Sequence, residues 1–218
     1  TMKKIYDNDG NVVKEEQVGC VVTKSSINKI IDIGTKIYVE PEKTEENNSS
    51  NEGKGSLSRD IALNKPSGFS AEQFKKALTD SKDTNKIFQN NSEYFYYIED
   101  EYNINGMFVA AIGIHESAWG TSRLAKNKYN LFGYGAYDSN PYNGAYSFSS
   151  YSESIDLIAR VLVKYYLNPS GTKIYDGQVA SGKYYSGNTI TAVNKRYATD
   201  TNWGNSVYKY MQYLYDKI

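Results

Sequence analysis

The sequence predicts a mainly α-helical domain with a short β-hairpin and loop lobe, preceded by a small β-rich N-terminal piece. Three observations predict it: an almost wholly apolar run from Met107 to Ile114, flanking segments whose apolar residues recur at helical spacing behind capping residues, and a polar stretch at 41–60 that sets residues 1–40 apart. With 218 residues and a hydrophobic fraction of 39%, the chain can bury a core of ordinary size. The division expected is a β-rich piece at 1–40, a linker at 41–60 and a main domain at 61–218.

In the first piece Asp9-Gly10 is a two-residue turn signal, and β-branched residues recur at Val12-Val13, Val18, Val21-Val22 and Ile30-Ile31, which gives two or three strands. Residues 41–60 open with Pro41 and continue through Glu, Asn, Ser and Gly, a composition that cannot offset the entropy of ordering itself. The opening Thr1-Met2-Lys3-Lys4 lacks the long apolar stretch of a signal peptide, as expected of a segment excised from a longer protein.

Helices follow. Ser70 with Gln73 has capping-box spacing and opens a helix through Phe74, Ala77 and Leu78, and Ser92 is expected to cap a second with Phe95, Ile98 and Tyr102 on one face. Asn105 opens a third, apolar almost all round and therefore central, which Gly120 ends. From Asn130 to Ser150 the chain is rich in Gly, Asn, Asp, Ser and Tyr, with Asn143-Gly144 marking a tight turn, which predicts the loop and hairpin lobe. A helix resumes near Ser152, with a stripe of Ile155, Ile158, Ala159, Leu162 and Val163 that lasts to Asn168-Pro169. A Gly-punctuated loop, a short helix near 189–197 and a last helix through Val207, Met211, Leu214 and Ile218 complete the domain.

Composition narrows the chemistry. Lys plus Arg and Asp plus Glu both number 25, so no global basic field draws the chain to nucleic acid or anionic lipid. No apolar run approaches a membrane span. A single Cys, Cys20, and a single His, His115, leave no cluster for a zinc site, and no metal or other cofactor is expected. Tyr numbers 22, more than a core absorbs, since each hydroxyl wants a partner or water. The surplus suits surfaces and grooves, and flat amphipathic rings suit sugars.

Glu116 is the residue to explain. It is a carboxylate at the end of an apolar helix, with Ile112 one turn before it and Trp119 three residues after. A carboxyl in an apolar pocket against a Trp tends to hold its proton and can serve as a general acid in glycoside hydrolysis. The plainer reading is a Glu that emerges into solvent at a helix end. His115 points about 100° away around the helix, which makes it a core or supporting imidazole rather than a base.

The residues that follow carry a resemblance. Glu116-Ser117-Ala118-Trp119-Gly120, then Leu124-Ala125, Tyr129-Asn130-Leu131-Phe132-Gly133, Gly135-Ala136-Tyr137-Asp138-Ser139-Asn140-Pro141-Tyr142 and Asn194-Lys195-Arg196-Tyr197-Ala198-Thr199-Asp200 resemble the glucosaminidase domains of glycoside hydrolase family 73, found in bacterial autolysins. The resemblance covers about 150 residues. It implies a lysozyme-like helical fold and cleavage of peptidoglycan after N-acetylglucosamine, with Glu116 as the catalytic acid and Tyr197 as the second functional position. A phenol is too weakly acidic to act alone as a base near neutrality, so Tyr197 is assigned to orienting the N-acetyl group or a water. Residues Ile33-Gly34-Thr35-Lys36 also resemble the C-terminal part of a G5 domain, a β module that accompanies cell-wall hydrolases.

In one branch of the family a Glu on the hairpin is the partner acid, but residues 131–150 here contain no Glu. Asp138 is the carboxylate of that stretch and is the candidate, with a turn-capping role as the alternative. Glu153 has capping-box spacing with Ser150, and Asp156 lies one turn on. A carboxylate about 6.5–9.5 Å from Glu116 suits inversion and one about 5–5.5 Å suits a covalent retaining route. Substrate assistance by the N-acetyl oxygen is the third possibility. Asn130, Phe132, Tyr134, Tyr137 and Trp203 are the candidate substrate-binding residues, with Tyr142 a further aromatic.

The expected function is an endo-β-N-acetylglucosaminidase that cleaves the GlcNAc-β-1,4-MurNAc bond of cell-wall glycan, secreted to the cell wall. Its expected partner is the glycan strand, with no nucleic acid and no membrane insertion, and the chain is expected to be a monomer. The alternatives are a muramidase or lytic transglycosylase on the same glycan, and a non-catalytic wall-binding module.

Overall fold

The computed structural model describes residues 2–6, 12–17, 57–136 and 141–218, and the chain divides into two units, Thr1–Asn51 and Glu52–Ile218. In the first unit β1 (Met2–Tyr6) pairs antiparallel with β2 (Val12–Gln17), with Met2 opposite Gln17 and a register shift between Ile5 and Tyr6. The Asp9-Gly10 turn, the strands expected around Val18, Val21-Val22 and Ile30-Ile31, the G5-like ending and most of the expected linker lie outside the described residues.

The described part of the second unit is helical. Its helices are α1 (Ala71–Leu78), α2 (Ile87–Asn90), α3 (Ser92–Tyr102), α4 (Gly106–Ser117), α5 (Arg123–Lys128), α6 (Pro141–Gly144), α7 (Tyr151–Val161), α8 (Ile190–Tyr197) and α9 (Trp203–Tyr215). At α1 the capping box forms as spaced: the Ser70 hydroxyl accepts from the Gln73 N–H and the Gln73 side chain accepts from the Ser70 N–H. At α3 the expectation needs correction. Ser92 is the buried first residue of the helix, and Asn91 is its N-cap, with no side-chain cap bond.

Helix α4 is the axis of the unit. Every residue from Gly106 to Ile114 is buried, with the Asn105 side chain accepting from the Phe108 N–H at its start. It packs along α9 on one side and α3 on another, and α3 in turn carries α1 and α7. The approach to α3 is close enough that a Cβ on Gly106 would meet the Phe95 carbonyl oxygen at 2.2 Å, so only glycine fits. The predicted apolar stripes of α1, α3, α7 and α9 lie in this core, except that Ile218, expected in the last stripe, falls beyond the end of α9 and is only partly buried against it.

The exit of α4 decides which of its last residues face outward. Ala118, Trp119 and Gly120 are all left-handed, and the Ser117 hydroxyl donates to the Gly113 carbonyl while accepting from the Gly120 N–H. Two non-glycine residues in that region each cost about 1 kcal/mol or more. Burial of the Trp119 ring against Phe88 and Tyr213 offsets the cost.

Among the described residues of the expected hairpin lobe there is no strand. The turn signal Asn143-Gly144 closes the short helix α6, which Pro141 begins. Only two backbone bonds, from the Tyr146 N–H to the Tyr134 carbonyl and from the Phe148 N–H to the Lys128 carbonyl, tie the lobe in a strand-like way. The side chain of Asn130 takes the place of a ladder, as described below.

Glu99 of α3 is buried, 2% exposed, and its carboxyl accepts from the Ser67 N–H at 2.9 Å, the Ser67 hydroxyl at 3.0 Å and the Gly106 N–H at 2.6 Å. Burial pushes it up to about 7 against the opposing pull of those donors. A folded value above the unfolded one means that the stability it contributes is present below about 4.5 and is lost as pH rises through about 7. Glu99→Gln should therefore flatten the urea midpoint between pH 5 and pH 8, whereas Glu99→Leu, which strands two buried N–H groups, should lose about 2–3 kcal/mol at pH 5, a deficit that narrows as pH rises through about 7.

Candidate functional site

Glu116 does not sit in an apolar pocket against Trp119. The left-handed exit turns Trp119 into the core and leaves Glu116 on the exposed side of α4, in the wall of a cleft of about 970 Å³. The indole beside it is Trp203, the first residue of α9, whose Nε1 donates to Glu116 Oε1 at 2.8 Å. Trp203 is 3% exposed and its ring lies 4.7 Å from that of Tyr197 at an interplanar angle of 33°. It is a buried support for Glu116, and not the open stacking platform expected of it.

Tyr197 ends α8, and the same motif fixes where α9 begins. The Asn194 side chain donates to the Asp200 carbonyl at 2.9 Å and accepts from the Gly204 N–H at 2.9 Å, while Asp200 Oδ1 accepts from the Asn202 N–H at 2.8 Å. These bonds hold Tyr197 and Trp203 ring to ring. Burial, and then the charge of Glu116, push the Tyr197 phenol well above its usual value. It is a neutral phenol wherever the protein works, able to donate one hydrogen bond but not to act as a base.

The rest of the cleft is aromatic. Phe132, Gly133, Tyr134, Gly135 and Ala136 form one stretch of wall, and Tyr165, Tyr166 and Tyr184 another. Tyr166 lies 5.4 Å from Tyr197 and 5.0 Å from Tyr184, so the rings run as a connected series. A π-helical segment, Leu162–Tyr166, extends α7 and turns Tyr165 and Tyr166 into this wall. Phe132 is 6% exposed and packs against the face of α4 at Gly113, so it is wall and core at once. His115 also lines the cleft, with its ring 6.1 Å from that of Tyr210.

Asn130 requires a correction. It is 1% exposed and all its side-chain hydrogen-bonding is spent on backbone: Nδ2 donates to the Tyr134 and Tyr146 carbonyls at 3.0 Å each, and Oδ1 accepts from the N–H groups of Phe132 and Tyr134. It shapes the lobe and does not reach the cleft. Tyr142 is likewise occupied elsewhere, its ring 3.7 Å below the Arg123 guanidinium. Glu153 accepts from the Ser149 N–H and hydroxyl at 2.7 Å each, and Asp156 accepts from Tyr94 and Tyr102 and pairs with Arg160 at 2.8 Å. Both are committed to holding α7, and neither lines the cleft. Tyr137 and Asp138 lie outside the described residues.

Besides Tyr165, Tyr166 and Tyr184, two charged cleft residues are not singled out by sequence. Asp200 is the second carboxylate among the described lining residues, and Lys183 is the lining lysine. Asp200 stood in the quoted motif, so a signal for it was present. Lys183 had none beyond its neighbour Tyr184. Among the described residues no group of three or more His, Cys, Asp or Glu side chains could hold a metal ion, and no helix is long and apolar enough to cross a membrane.

The family model described as mannosyl-glycoprotein endo-β-N-acetylglucosaminidase matches residues 92–216, from the start of α3 to the end of α9. The chain belongs to this glucosaminidase family. As a glucosaminidase domain it is a glycoside hydrolase. A Streptococcus pneumoniae protein provisionally named endo-β-N-acetylglucosaminidase is 30% identical over 156 residues, which are 72% of this chain and 22% of that one. The bifunctional autolysin of Staphylococcus epidermidis is 25% identical over 179 residues, 72% of this chain and 12% of that one. The chain thus spans about a fifth or less of the length of these relatives. The fold is shared with a catalytic mutant of Staphylococcus aureus autolysin E solved with the disaccharide NAG-NAM, at a TM-score of 0.52 and 20% identity over 72% of each chain.

Asn130→Ala should cost the glucosaminidase domain about 2–4 kcal/mol, since it leaves buried backbone donors and acceptors unpaired at once. That loss reads as a drop of roughly 5–10 °C in melting temperature by calorimetry.

Proposed function

We propose that the domain is an endo-β-N-acetylglucosaminidase of bacterial cell-wall glycan, cleaving the GlcNAc-β-1,4-MurNAc bond with Glu116 as general acid. The observation that carries this reading is the Glu116 carboxylate, held by the Trp203 indole in an open cleft of about 970 Å³ with Tyr and Phe rings in its walls. The autolysin relatives support cell-wall glycan as the substrate; with such a substrate we propose that the domain acts outside the cell, at the wall, and as a monomer.

The indole N–H occupies Glu116 Oε1, so the proton to be transferred rides on Oε2. In the open cleft the carboxyl faces water. A bound glycan displaces that water, and removal from water favours the neutral, proton-bearing form. Glu116 then protonates the bridging oxygen as the bond to the anomeric carbon breaks. Tyr197, neutral and beside Glu116, donates its hydrogen bond to the N-acetyl group or to the attacking water. Tyr134 and Tyr137 offer ring faces to the sugars.

Asp138 is our candidate for the second acid. It follows by two residues the cleft-lining Ala136. Substrate assistance by the N-acetyl oxygen fits the same cleft and needs no protein nucleophile.

Glu116→Gln should fold with an unchanged melting temperature and lose at least a hundredfold of wall-lytic activity. Retained lysis rejects the assignment. Mass spectrometry of digested peptidoglycan should find reducing-end N-acetylglucosamine. Reducing or anhydro N-acetylmuramic acid would instead make the domain a muramidase or transglycosylase, and sedimentation with walls but no products would make it a binding module. Trp203→Phe keeps the ring against Tyr197 but removes the donor, and should lower kcat by about tenfold while KM moves less than twofold.

A further inference from the structure

We propose that Lys183 is a specificity-determining residue that pairs with a carboxylate on the side arm of the muramyl sugar, a reading that rests on the proposed action on cell-wall glycan.

The loop that carries Lys183 is built onto the π-helical segment. A segment of π-helix leaves carbonyls out of line with their usual intrahelical donors, and here the loop supplies donors to them. Ser181 and Gly182 N–H groups donate to the Lys164 carbonyl at 2.8 and 3.1 Å, and the Tyr184 N–H donates to the Tyr165 carbonyl at 2.9 Å. Lys183 is thus bracketed by backbone bonds on both sides. Gly182 is left-handed at φ +59°, and a Cβ there would fall 2.4 Å from the Ser170 nitrogen, so the approach is available only to glycine. The loop's position along the cleft wall is fixed by the fold.

Lys183 and Tyr184 then form a pair. The Lys183 Nζ lies 5.1 Å from the centroid of the Tyr184 ring, and both residues line the cleft. Among the described residues lining it, Lys183 is the sole Lys or Arg, against the carboxylates of Glu116 and Asp200. Lys183 itself is exposed and takes part in neither of the described ion pairs. An ammonium beside an aromatic face is complementary to a pyranose that carries an anionic substituent, with the ring taking the C–H face and the ammonium the charge.

Muramic acid is such a sugar. Its lactyl ether bears a carboxylate in peptide-free glycan, and where that group is amidated the stem peptide supplies carboxylates of its own. A neutral N-acetylglucosamine oligomer offers neither. In a cleft that already holds two acidic side chains, an anionic arm meets repulsion unless a cation stands where the arm lies. Lys183 supplies that cation.

The test measures affinity by calorimetry in the inactive Glu116→Gln protein, with and without Lys183→Gln, for three glycans: peptide-bearing strands, strands stripped of peptide by an amidase, and neutral N-acetylglucosamine hexamer. Lys183→Gln should weaken binding of one or both anionic glycans by about fivefold, the size of an exposed ion pair, and leave the hexamer within twofold. Lys183→Arg should restore the loss, and raising the salt concentration should shrink it. A loss confined to stripped strands names the lactyl carboxylate, and a loss confined to peptide-bearing strands names the stem peptide. Unchanged affinity for both anionic glycans, or an equal loss on the neutral hexamer, overturns the assignment to Lys183 alone. Failure of the Glu116→Gln protein to bind any of the three overturns the cell-wall reading as well.

Discussion

The constraint on which the rest depends is the unbroken burial of α4 from Gly106 to Ile114. A helix apolar on every side can present a charged side chain to solvent only where it leaves the core, and the exit here is sharp: three successive left-handed residues follow Ser117. The same turn sends Trp119 inward and leaves Glu116 outward. The backbone that carries the Glu116 carboxylate is thereby fixed in place, as the acid role proposed for it requires. The Ser117 hydroxyl, bonded both to the helix and to the exit, closes the turn that separates the two fates.

Around that fixed point the cleft is assembled from segments that are individually irregular. The lobe after Leu131 has no described strand and is organised by Asn130 from within. The opposite wall is a π-helical segment whose carbonyls are taken by a distant loop. The third wall is the α8 to α9 connection, tied by Asn194 and Asp200. In each case a side chain or loop replaces regular secondary structure as the partner of backbone groups, which lets the chain turn sharply without stranding polar atoms. The core helices form regular backbone ladders and use side chains such as Ser70, Asn105 and Ser117 at their ends, and they set where these walls are anchored.

The helical framework was legible because its signals are local. Capping at Ser70 and Asn105, and the apolar stripes of α3, α7 and α9, depend on residues within a few positions of each other. Glu116 was legible for a related reason, as a charge at the end of an apolar run with a motif attached. What the sequence did not disclose is non-local. Trp119 is three residues from Glu116 and Trp203 is 87 away, yet the distant indole makes the bond because the handedness of residues 118–120 turns the near one inward. Asn130 looked like a binding residue in a polar stretch, but its four backbone partners are spread from Phe132 to Tyr146 and become partners only when the lobe closes. Asn143-Gly144 signalled a hairpin turn, and with Pro141 ahead of it the same residues close a helical turn instead.

The exposure of Glu116 changes the physical account of its chemistry. A permanently buried carboxyl lowers the stability of the fold as pH rises through its raised value, as Glu99 does elsewhere in the domain. Glu116 instead lies exposed in the open cleft, with one oxygen held by an indole. In the mechanism proposed above, water leaves when a strand of sugars covers the rings of Tyr134, Tyr166 and Tyr184, so that the aromatic walls would also make the proposed acid competent. On that proposal, binding energy from sugars remote from the scissile bond would be converted into catalysis, and short glycans should be poor substrates in kcat as well as in affinity. Because Trp203 bonds to Glu116 and stacks on Tyr197, a single buried ring aligns the acid with the phenol placed beside it.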